Sequence, residues 1–311
     1  MLRELGLRST SGEMSLSGRG ESGLSGREDE QLMREGAAVR RGRGVRLGVL
    51  GWPVAHSRSP AMHNAALQAL RVEGWRYQLL PVPGSLLEQT VAALPGAGFL
   101  GANVTIPHKQ AALALADEAS ETAREIGAAN TLIFRSDGTS RAENTDAPGL
   151  LACLPGRESG ESALVLGAGG SGRAAAWALS RAGWRVMVWN RTESRARQMA
   201  QQLGVRAVRT PVAADLLVNC TSVGLAGDET EDAALNQIAL SADQLRRYRY
   251  VADLVYSTQQ TPLLAAAARQ GAATIDGVEI LVRQGALSFE LWTGLAPPLD
   301  VMRAAARTGW R

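Results

Sequence analysis

The chain has 311 residues, of which 45% are hydrophobic, and this is enough for two folded domains with apolar cores. Its formal net charge is only +3, with both signs spread along the chain, which argues against binding to nucleic acid or to a membrane surface. Cys153 and Cys220 form neither a metal-ligand pattern nor a disulfide framework, so we expect no metal site and a reducing, cytoplasmic location.

Residues 1–44 are predicted to be a disordered tail, because they are rich in Gly, Ser and Arg and contain no aromatic residue. The first predicted strand, Val45–Gly51, leads through Ser57 and Ser59 into a predicted helix. Ser59 precedes Pro60, a pattern typical of an N-cap followed by proline in the first helical turn. Ser57 has no such explanation. Two hydroxyls beside the free N–H groups of a helix start predict a site for a small anion.

Lys109 is the only lysine among the 33 Lys and Arg residues. An ammonium group can be tuned to release a proton, whereas a guanidinium cannot. Lys109 follows a predicted buried strand, 99–106, and shares the first turn of a predicted helix with Pro107, where the helix dipole disfavours a cation. Judged from this one position alone, a surface lysine would be the better interpretation. Its being the sole lysine favours a role in proton transfer.

Asp146 follows a further predicted strand and precedes a helix predicted from Leu150. Strands and helices alternate along the chain, which predicts a parallel α/β sheet. The carboxyl ends of the strands in such a sheet open into one crevice. Lys109 and Asp146 are therefore expected to form an ion pair beside a substrate oxygen. An N-cap role for Asp146 is the alternative interpretation.

A stretch rich in Gly, Glu and Ser at 155–162 predicts a domain boundary. The strand that follows runs directly into a G-x-G-x-x-G motif, and a predicted helix comes next. In this context the motif predicts a dinucleotide whose pyrophosphate lies on the helix N-terminus. The motif consists of Gly167, Ala168, Gly169, Gly170, Ser171 and Gly172.

The next predicted strand, 184–189, ends at Asn190, Arg191 and Thr192, and Arg195 follows one turn later. NAD-binding folds usually place an acidic residue here, which binds the ribose 2′-hydroxyl. Two arginines at this point predict a preference for NADP instead, because its 2′-phosphate pairs with arginine. A merely basic helix start is the weaker alternative, since the helix dipole disfavours arginine there.

Taken together, these stretches resemble the shikimate dehydrogenase family, whose members use NADPH to reduce 3-dehydroshikimate to shikimate in aromatic amino-acid biosynthesis. The resemblance covers roughly Val45 to the end of the chain. The motifs that support it are HSxSPxxHN at 56–64, NVTxPxK at 103–109, GAxNT at 127–131, NTDxxG at 144–149, GAGGSGRA at 167–174, NRT at 190–192, TPLL at 261–264 and DG…LVxQ…FxxW at 276–292.

The resemblance implies an α/β fold with a substrate-binding catalytic domain at 45–149, to which residues 283–311 return. It also implies a Rossmann-type NADP-binding domain at 150–282, with the active site in the cleft between the two domains. Lys109 and Asp146 are implied to be the catalytic pair. The expected partners are NADP and a small-molecule substrate, in a monomer or a homodimer.

The same resemblance implies a role for each remaining site residue. Ser57 and Ser59 would bind the substrate carboxylate. The residues implied to surround the ring hydroxyls are Thr105, Asn130, Tyr256 and Gln284, although glutamine in mid-helix is usually exposed to solvent. The residues assigned to the cofactor are Gly167, Ala168, Gly169, Gly170, Ser171, Asn190, Arg191, Thr192, Arg195, Leu254 and Gly277.

The sequence departs from the family pattern at Glu143, where Gly is frequent, and at Ser257-Thr258, which replaces a segment that usually contains Pro. Neither departure touches a predicted catalytic group. One alternative function is that of an NAD-preferring quinate/shikimate dehydrogenase, which Arg191 and Arg195 disfavour. Another is a non-catalytic nucleotide-binding homologue, which the intact catalytic pair disfavours.

Overall fold

The computed structural model describes residues 44–156, 160–225, 227, 229–257 and 259–308. The predicted disordered tail lies outside the described residues, except for Gly44. Within the described residues the chain forms two six-stranded sheets, one from each half of the sequence, with helices packed around them. The predicted α/β class is therefore confirmed.

The first sheet is built by the N-terminal half of the chain. Its strands and helices are β1 (Val45–Gly51), α1 (Ser59–Ala69), β2 (Trp75–Pro81), α2 (Leu87–Ala93), β3 (Phe99–Val104), α3 (Lys109–Leu115), β4 (Glu118–Ala119), α4 (Glu121–Ile126), β5 (Thr131–Phe134), β6 (Ser140–Glu143) and α5 (Asp146–Leu151). The strand order across the sheet is β2-β1-β3-β5-β6-β4. β3 lies near the middle and is buried along its whole length, as its apolar sequence predicts.

The prediction of a purely parallel sheet is wrong for this half. β1 pairs in parallel with β2 and β3, but β5 runs antiparallel to both β3 and β6. The turn between β5 and β6 contains Asp137, whose Oδ1 accepts from the N–H and hydroxyl of Thr139, and Gly138, whose φ is +90°. Because the chain reverses twice, β3 and β6 point the same way. The strand ends that precede Lys109 and Asp146 therefore share one edge of the sheet.

The second sheet is parallel throughout. Its strands and helices are β7 (Ser162–Leu166), α6 (Gly170–Arg181), β8 (Arg185–Trp189), α7 (Glu193–Leu203), β9 (Arg206–Ala207), β10 (Leu216–Asn219), α8 (Glu231–Gln237), β11 (Tyr250–Asp253), α9 (Pro262–Arg269) and β12 (Ala273–Ile275). The strand order is β12-β11-β10-β7-β8-β9, and all the pairs are parallel. From β7 the chain adds β8 and β9 on one side, and it then adds β10, β11 and β12 on the other side. The loop after β7 therefore lies at the switch point, where sheets of this kind bind ligands.

The chain then returns to the first sheet through α10 (Gly277–Thr293) and α11 (Leu299–Arg307). One buried cluster contains Met62 and Leu67 of α1, Val282 and Phe289 of α10, and Met302 of α11. The first and the last two helices of the described residues therefore share a core. The predicted domain limit between residues 282 and 283 falls inside the continuous helix α10, and the division into domains stays a prediction.

Two helix starts differ from the predictions. Ser59 is the first residue of α1 and Arg58 is the N-cap, so the N-cap role predicted for Ser59 is wrong. The N–H groups of the first helical turn have no intrahelical acceptor, so Pro60 costs no hydrogen bond within that turn. α1 can therefore begin at Ser59, one residue before the start that an N-cap at Ser59 would give. Pro107 lies before α3 and not in its first turn, whereas Lys109 is the first residue of α3, as expected.

Candidate active site

Lys109 and Asp146 form an ion pair at the carboxyl edge of the first sheet. Lys109 Nζ lies 2.5 Å from Asp146 Oδ2, and the two side chains are 11% and 13% exposed. The ammonium also donates to Ser171 Oγ, in the first turn of α6, at 2.9 Å. An ammonium has three N–H donors, so one of them is left for a substrate oxygen.

Asn130 holds the other oxygen of Asp146. Its Nδ2 donates to Asp146 Oδ1 and to Thr145 Oγ1, both at 2.8 Å. The backbone N–H of Thr145 donates to Asn130 Oδ1 at 2.7 Å. Because a backbone N–H can only donate, this contact fixes the orientation of the Asn130 amide. Both carboxylate oxygens of Asp146 are therefore engaged, and the carboxylate is held facing the ammonium.

Gln284 of α10 faces the same network, contrary to the usual exposure of glutamine in mid-helix. It is 8% exposed, accepts from Asn130 Nδ2 at 3.1 Å and donates to the Leu281 carbonyl at 2.8 Å. Gly149 of α5 permits this approach, since a Cβ at that position would lie 2.7 Å from Gln284 Cβ. The close packing of α5 on α10 thus brings Gln284 to the network around Lys109 and Asp146.

Three polar residues lie behind the site and were not predicted from the sequence: Asn103, Thr145 and Ser288. Asn103 is 5% exposed, accepts from the Tyr77 hydroxyl at 2.8 Å and donates to Ser288 Oγ at 2.9 Å. Ser288 Oγ lies 3.0 Å from Thr145 Oγ1. The signal that could have found them is the amide of Asn103 inside the apolar strand β3, because a buried polar side chain requires partners.

Ser57 and Ser59 lie where the chain enters α1, and both line the pocket that contains Lys109 and Asp146. The N–H of Ser59 lies 3.4 Å from Ser57 Oγ. Burial raises the pKa of the Tyr256 phenol, and its hydrogen bond with the Ser57 side chain opposes that increase. Three hydroxyls close to the start of α1 form the kind of neutral, hydrogen-bonding site that accepts a small carboxylate.

The inner pocket brings together every residue predicted to bind substrate. They are Ser57, Ser59, Thr105, Lys109, Asn130, Asp146, Tyr256 and Gln284. The predicted cofactor residues Ser171, Leu254 and Gly277 also line this pocket, whose volume is about 130 Å³. An outer groove of about 1010 Å³ adjoins it, and Lys109 and Ser171 line both. The lysine therefore lies where the two cavities meet.

The glycine-rich loop after β7 forms one wall of the outer groove. Gly167 has a φ of +103°, a conformation that favours glycine. A Cβ on Gly172 would lie 2.0 Å from the Gly167 carbonyl oxygen, whereas a Cβ on Gly169 would meet nothing within 4 Å. Gly167 and Gly172 thus allow a tight turn, and Gly169 leaves open space beside the loop. This arrangement fits a pyrophosphate on the N-terminus of α6.

Most of the predicted cofactor residues line the outer groove. They are Gly167, Ala168, Gly169, Gly170, Ser171, Asn190, Arg191 and Arg195. Asn190 Oδ1 accepts from the Ala168 N–H at 3.1 Å and its Nδ2 donates to the Thr192 carbonyl at 2.9 Å, so it joins the loop after β8 to the glycine-rich loop. Thr192 lines neither cavity, unlike the other predicted residues.

The described residues have further features that concern metals, membranes and thiols. In that part of the chain no group of three or more His, Cys, Asp or Glu side chains could hold a metal ion. None of the described helices is long and apolar enough to cross a membrane. Cys153 and Cys220 are free. Burial raises the pKa of the Cys220 thiol, which lines both cavities and stays protonated at neutral pH.

The geometry defines the class of protein. A dinucleotide groove opens directly onto a lysine that can exchange a proton with a hydroxyl or carbonyl oxygen, which is the arrangement of a nicotinamide-dependent oxidoreductase. Three family models match the chain: the shikimate dehydrogenase substrate binding domain at 49–132, shikimate / quinate 5-dehydrogenase at 154–222 and the shikimate 5′-dehydrogenase C-terminal domain at 277–307. The chain belongs to the shikimate dehydrogenase family.

Individual relatives match almost their whole length. A shikimate dehydrogenase (NADP(+)) of Thermus thermophilus is 46% identical over 271 residues, which cover 85% of this chain and 98% of the relative. That of Methanocella arvoryzae is 43% identical over 281 residues, covering 84% and 97%. A crystal structure of shikimate 5-dehydrogenase from T. thermophilus in complex with NADP(H) and shikimate has a TM-score of 0.75 at 43% identity, covering 85% and 98%. The resemblance stated from the sequence is confirmed.

Proposed function

We propose that the protein catalyses the reversible NADPH-dependent reduction of 3-dehydroshikimate to shikimate, a step of aromatic amino-acid biosynthesis. The observation that supports this proposal is the 2.5 Å contact between Lys109 Nζ and Asp146 Oδ2, in a pocket that opens onto the dinucleotide groove. The names of the relatives, which include both NADP and shikimate, support the same substrate and cofactor.

Lys109 and Asp146 are the catalytic pair in this proposal. The free N–H of Lys109 donates a proton to the carbonyl oxygen as the ketone is reduced, and the positive charge stabilises the alkoxide that develops there. Asp146 fixes the direction of the ammonium and accepts a hydrogen bond from the product hydroxyl. The low exposure of both side chains strengthens these electrostatic interactions, because little water screens them.

The other residues of the inner pocket bind and orient the substrate. Ser57 and Ser59 hydrogen-bond to its carboxylate. The residues that surround its ring hydroxyls are Thr105, Asn130, Tyr256 and Gln284. Asn130 and Gln284 are fixed by their contact with each other at 3.1 Å, so they present rigid partners to those hydroxyls.

Bound NADPH supplies the hydride. Its pyrophosphate is held by the loop residues Gly167, Ala168, Gly169, Gly170 and Ser171. Its 2′-phosphate is bound by Arg191 and Arg195, which line the outer groove. Asn190 and Thr192 support the loop that carries them, since Asn190 Nδ2 donates to the Thr192 carbonyl. Leu254 and Gly277 border the nicotinamide, since both line the inner pocket. Arg191 and Arg195 account for the choice of NADP over NAD, because NAD carries no 2′-phosphate for an arginine to pair with.

The first test is the absorbance of reduced nicotinamide, measured with the purified protein, shikimate and either NADP or NAD. Rapid reduction of NADP alone supports the proposal. Faster reduction of NAD with quinate would favour the quinate/shikimate dehydrogenase. NADPH binding without turnover would favour the non-catalytic homologue. A Lys109→Ala variant that turns over normally would contradict the assignment of Lys109.

Two further expectations belong to this proposal. The two free cysteines fit a cytoplasmic location, where thiols stay reduced. A monomer or a homodimer is expected, and light scattering during size-exclusion chromatography distinguishes the two.

A further inference from the structure

The hydroxyl of Ser171 links the glycine-rich loop to the lysine on the other sheet. Lys109 Nζ donates to Ser171 Oγ at 2.9 Å, although the two residues are 62 positions apart in the chain. The neighbouring residue permits this approach, because a Cβ on Gly170 would lie 2.6 Å from Lys109 Cβ. The stem of Lys109 therefore packs on the loop, and its ammonium reaches the serine at the start of α6.

We propose that Ser171 is a positioning residue for proton transfer by Lys109; this inference rests on the catalytic role proposed above for Lys109. The ammonium lies between two oxygens, Asp146 Oδ2 and Ser171 Oγ. Two fixed acceptors determine the direction of the third N–H. With Asp146 alone, the flexible four-carbon stem could turn about that single contact, and the third N–H would lose its direction.

Ser171 also has a proton of its own to donate. A hydroxyl that accepts from an ammonium keeps its O–H free. Ser171 is the second residue of α6, a helix of 12 residues whose first two residues, Gly170 and Ser171, line the outer groove. The same hydroxyl can therefore donate to a phosphate oxygen while it accepts from Lys109. Ser171 belongs to the cofactor groove and to the proton-transfer site at once.

This role predicts a change in the pH profile. Ser171 Oγ accepts a hydrogen bond from the protonated ammonium, and it stabilises that form more than the neutral amine. Without the hydroxyl, the protonated form loses this stabilisation. The alkaline limb of the kcat profile for ketone reduction should move to lower pH by about one unit, as expected for one hydrogen bond to a charged group.

The kinetic test compares three variants of the full chain. Ser171→Ala removes the hydroxyl, Ser171→Thr keeps it, and Ser180→Ala makes the same chemical change near the other end of α6. We expect Ser171→Ala to lower kcat about tenfold and to change the Kd of NADPH by less than about threefold, because the backbone N–H groups of the loop remain. Ser171→Thr should restore most of the turnover, and Ser180→Ala should match the parent.

The sole lysine allows a second measurement that needs no turnover. Lysine labelled with ¹³C at the ε-carbon gives a single lysine resonance, that of Lys109. Its relaxation should show a more mobile ε-carbon in Ser171→Ala than in the parent, without cofactor or substrate. A Ser171→Ala variant with weaker NADPH binding but unchanged kcat, pH profile and lysine mobility would overturn the inference. Failure of the parent to oxidise shikimate would contradict the proposed function instead. The Lys109 resonance would still report on the contact between Lys109 and Ser171.

Discussion

Arg58 anchors the last turn of α11 to the loop that enters α1, through a hydrogen bond from its Nε to the Ala306 carbonyl at 3.2 Å. Its Nη2 also donates to the Ala305 carbonyl at 3.1 Å. The last carbonyls of a helix have no intrahelical donor, and a cation is favourable at that end of the helix dipole. Arg58 lies between Ser57 and Ser59, so the C-terminal helix helps to place the residues proposed to bind the substrate carboxylate.

Replacing Arg58 with methionine keeps most of the stem and removes the hydrogen-bond donors. We expect the KM for shikimate to rise about tenfold and the free energy of unfolding to fall by about 1–2 kcal/mol, the usual size of such hydrogen bonds. Steady-state kinetics and urea unfolding measure the two effects.

The matched control for Arg58 is Arg303→Met. Arg303 of α11 donates to both carboxylate oxygens of Glu279 on α10, at 2.7 and 3.0 Å, and it does not touch the Ser57–Ser59 loop. The control should alter stability with little change in KM. If Arg58→Met left the KM for shikimate unchanged, the loop would not depend on α11.

Lys109→Met should lower kcat about a thousandfold, the typical contribution of a positioned general acid, with a much smaller change in KM. Methionine retains an unbranched stem that can pack on Gly170, so a loss of activity reports on the ammonium. Lys109→Arg restores a positive charge that cannot give up a proton, and we expect its kcat to stay low. Turnover of Lys109→Arg close to that of the parent would show that charge alone is sufficient.

Arg191→Ala combined with Arg195→Ala should raise the KM for NADP about a hundredfold, because two charge-assisted hydrogen-bonding groups are removed from the 2′-phosphate. The KM for NAD serves as the internal control and should change little. Rates with both cofactors at saturating shikimate measure the preference. An equal loss with NAD and NADP would mean that the arginines support the fold of the groove and not the phosphate.

Asp253 at the end of β11 makes stability depend on pH. It is fully buried, and burial raises the pKa of its carboxyl from 3.8 to about 7, although hydrogen bonds from Thr261, Val255 and Asn219 oppose the increase. The folded state therefore keeps a proton that the unfolded state releases. The contribution of Asp253 to stability is largest below about pH 4, falls between pH 4 and 7 and is constant above that range.

Asp253→Asn removes this titration and keeps a similar shape. Between pH 4 and 7.5 the free energy of unfolding of the parent should fall relative to that of the variant by roughly 2–4 kcal/mol. Urea unfolding of both proteins across this range gives the difference. Parallel pH curves for the two would show that Asp253 has the same pKa in the folded and unfolded states.

The sequence predicted the ion pair between Lys109 and Asp146 better than the sheet that supports it. Lys109 was identified as the sole lysine, and its partner Asp146 followed from the rule that strand ends in one sheet share an edge. The rule gave the right neighbours although the sheet is mixed, because the two reversals at β5 and β6 cancel. Asp137-Gly138 is a known hairpin signal, but β6 has too few apolar residues to be recognised as a strand.

The supporting network could not be read from the sequence for a physical reason. Asn103 meets Ser288, and Asn130 meets Gln284, only when α10 packs on the first sheet. Both contacts join parts of the chain that are more than 150 residues apart. Periodicity reports on local structure and does not specify such pairings. The glycine-rich loop was easier to predict, because its strand, turn and helix are contiguous in the sequence.

The shared core of α1, α10 and α11 also affects the order in which the protein can fold on the ribosome. Arg58 and Ala306 are 248 positions apart, and at ~5–20 residues per second the ribosome takes ~12–50 s to synthesise the chain between them. Until then Met62 and Leu67 lack the helices that cover them. The second sheet, whose strands all lie between residues 162 and 275, has every strand it needs before α11 is made. All six strands of the second sheet can therefore be in place while the core between α1 and α10 still lacks α11.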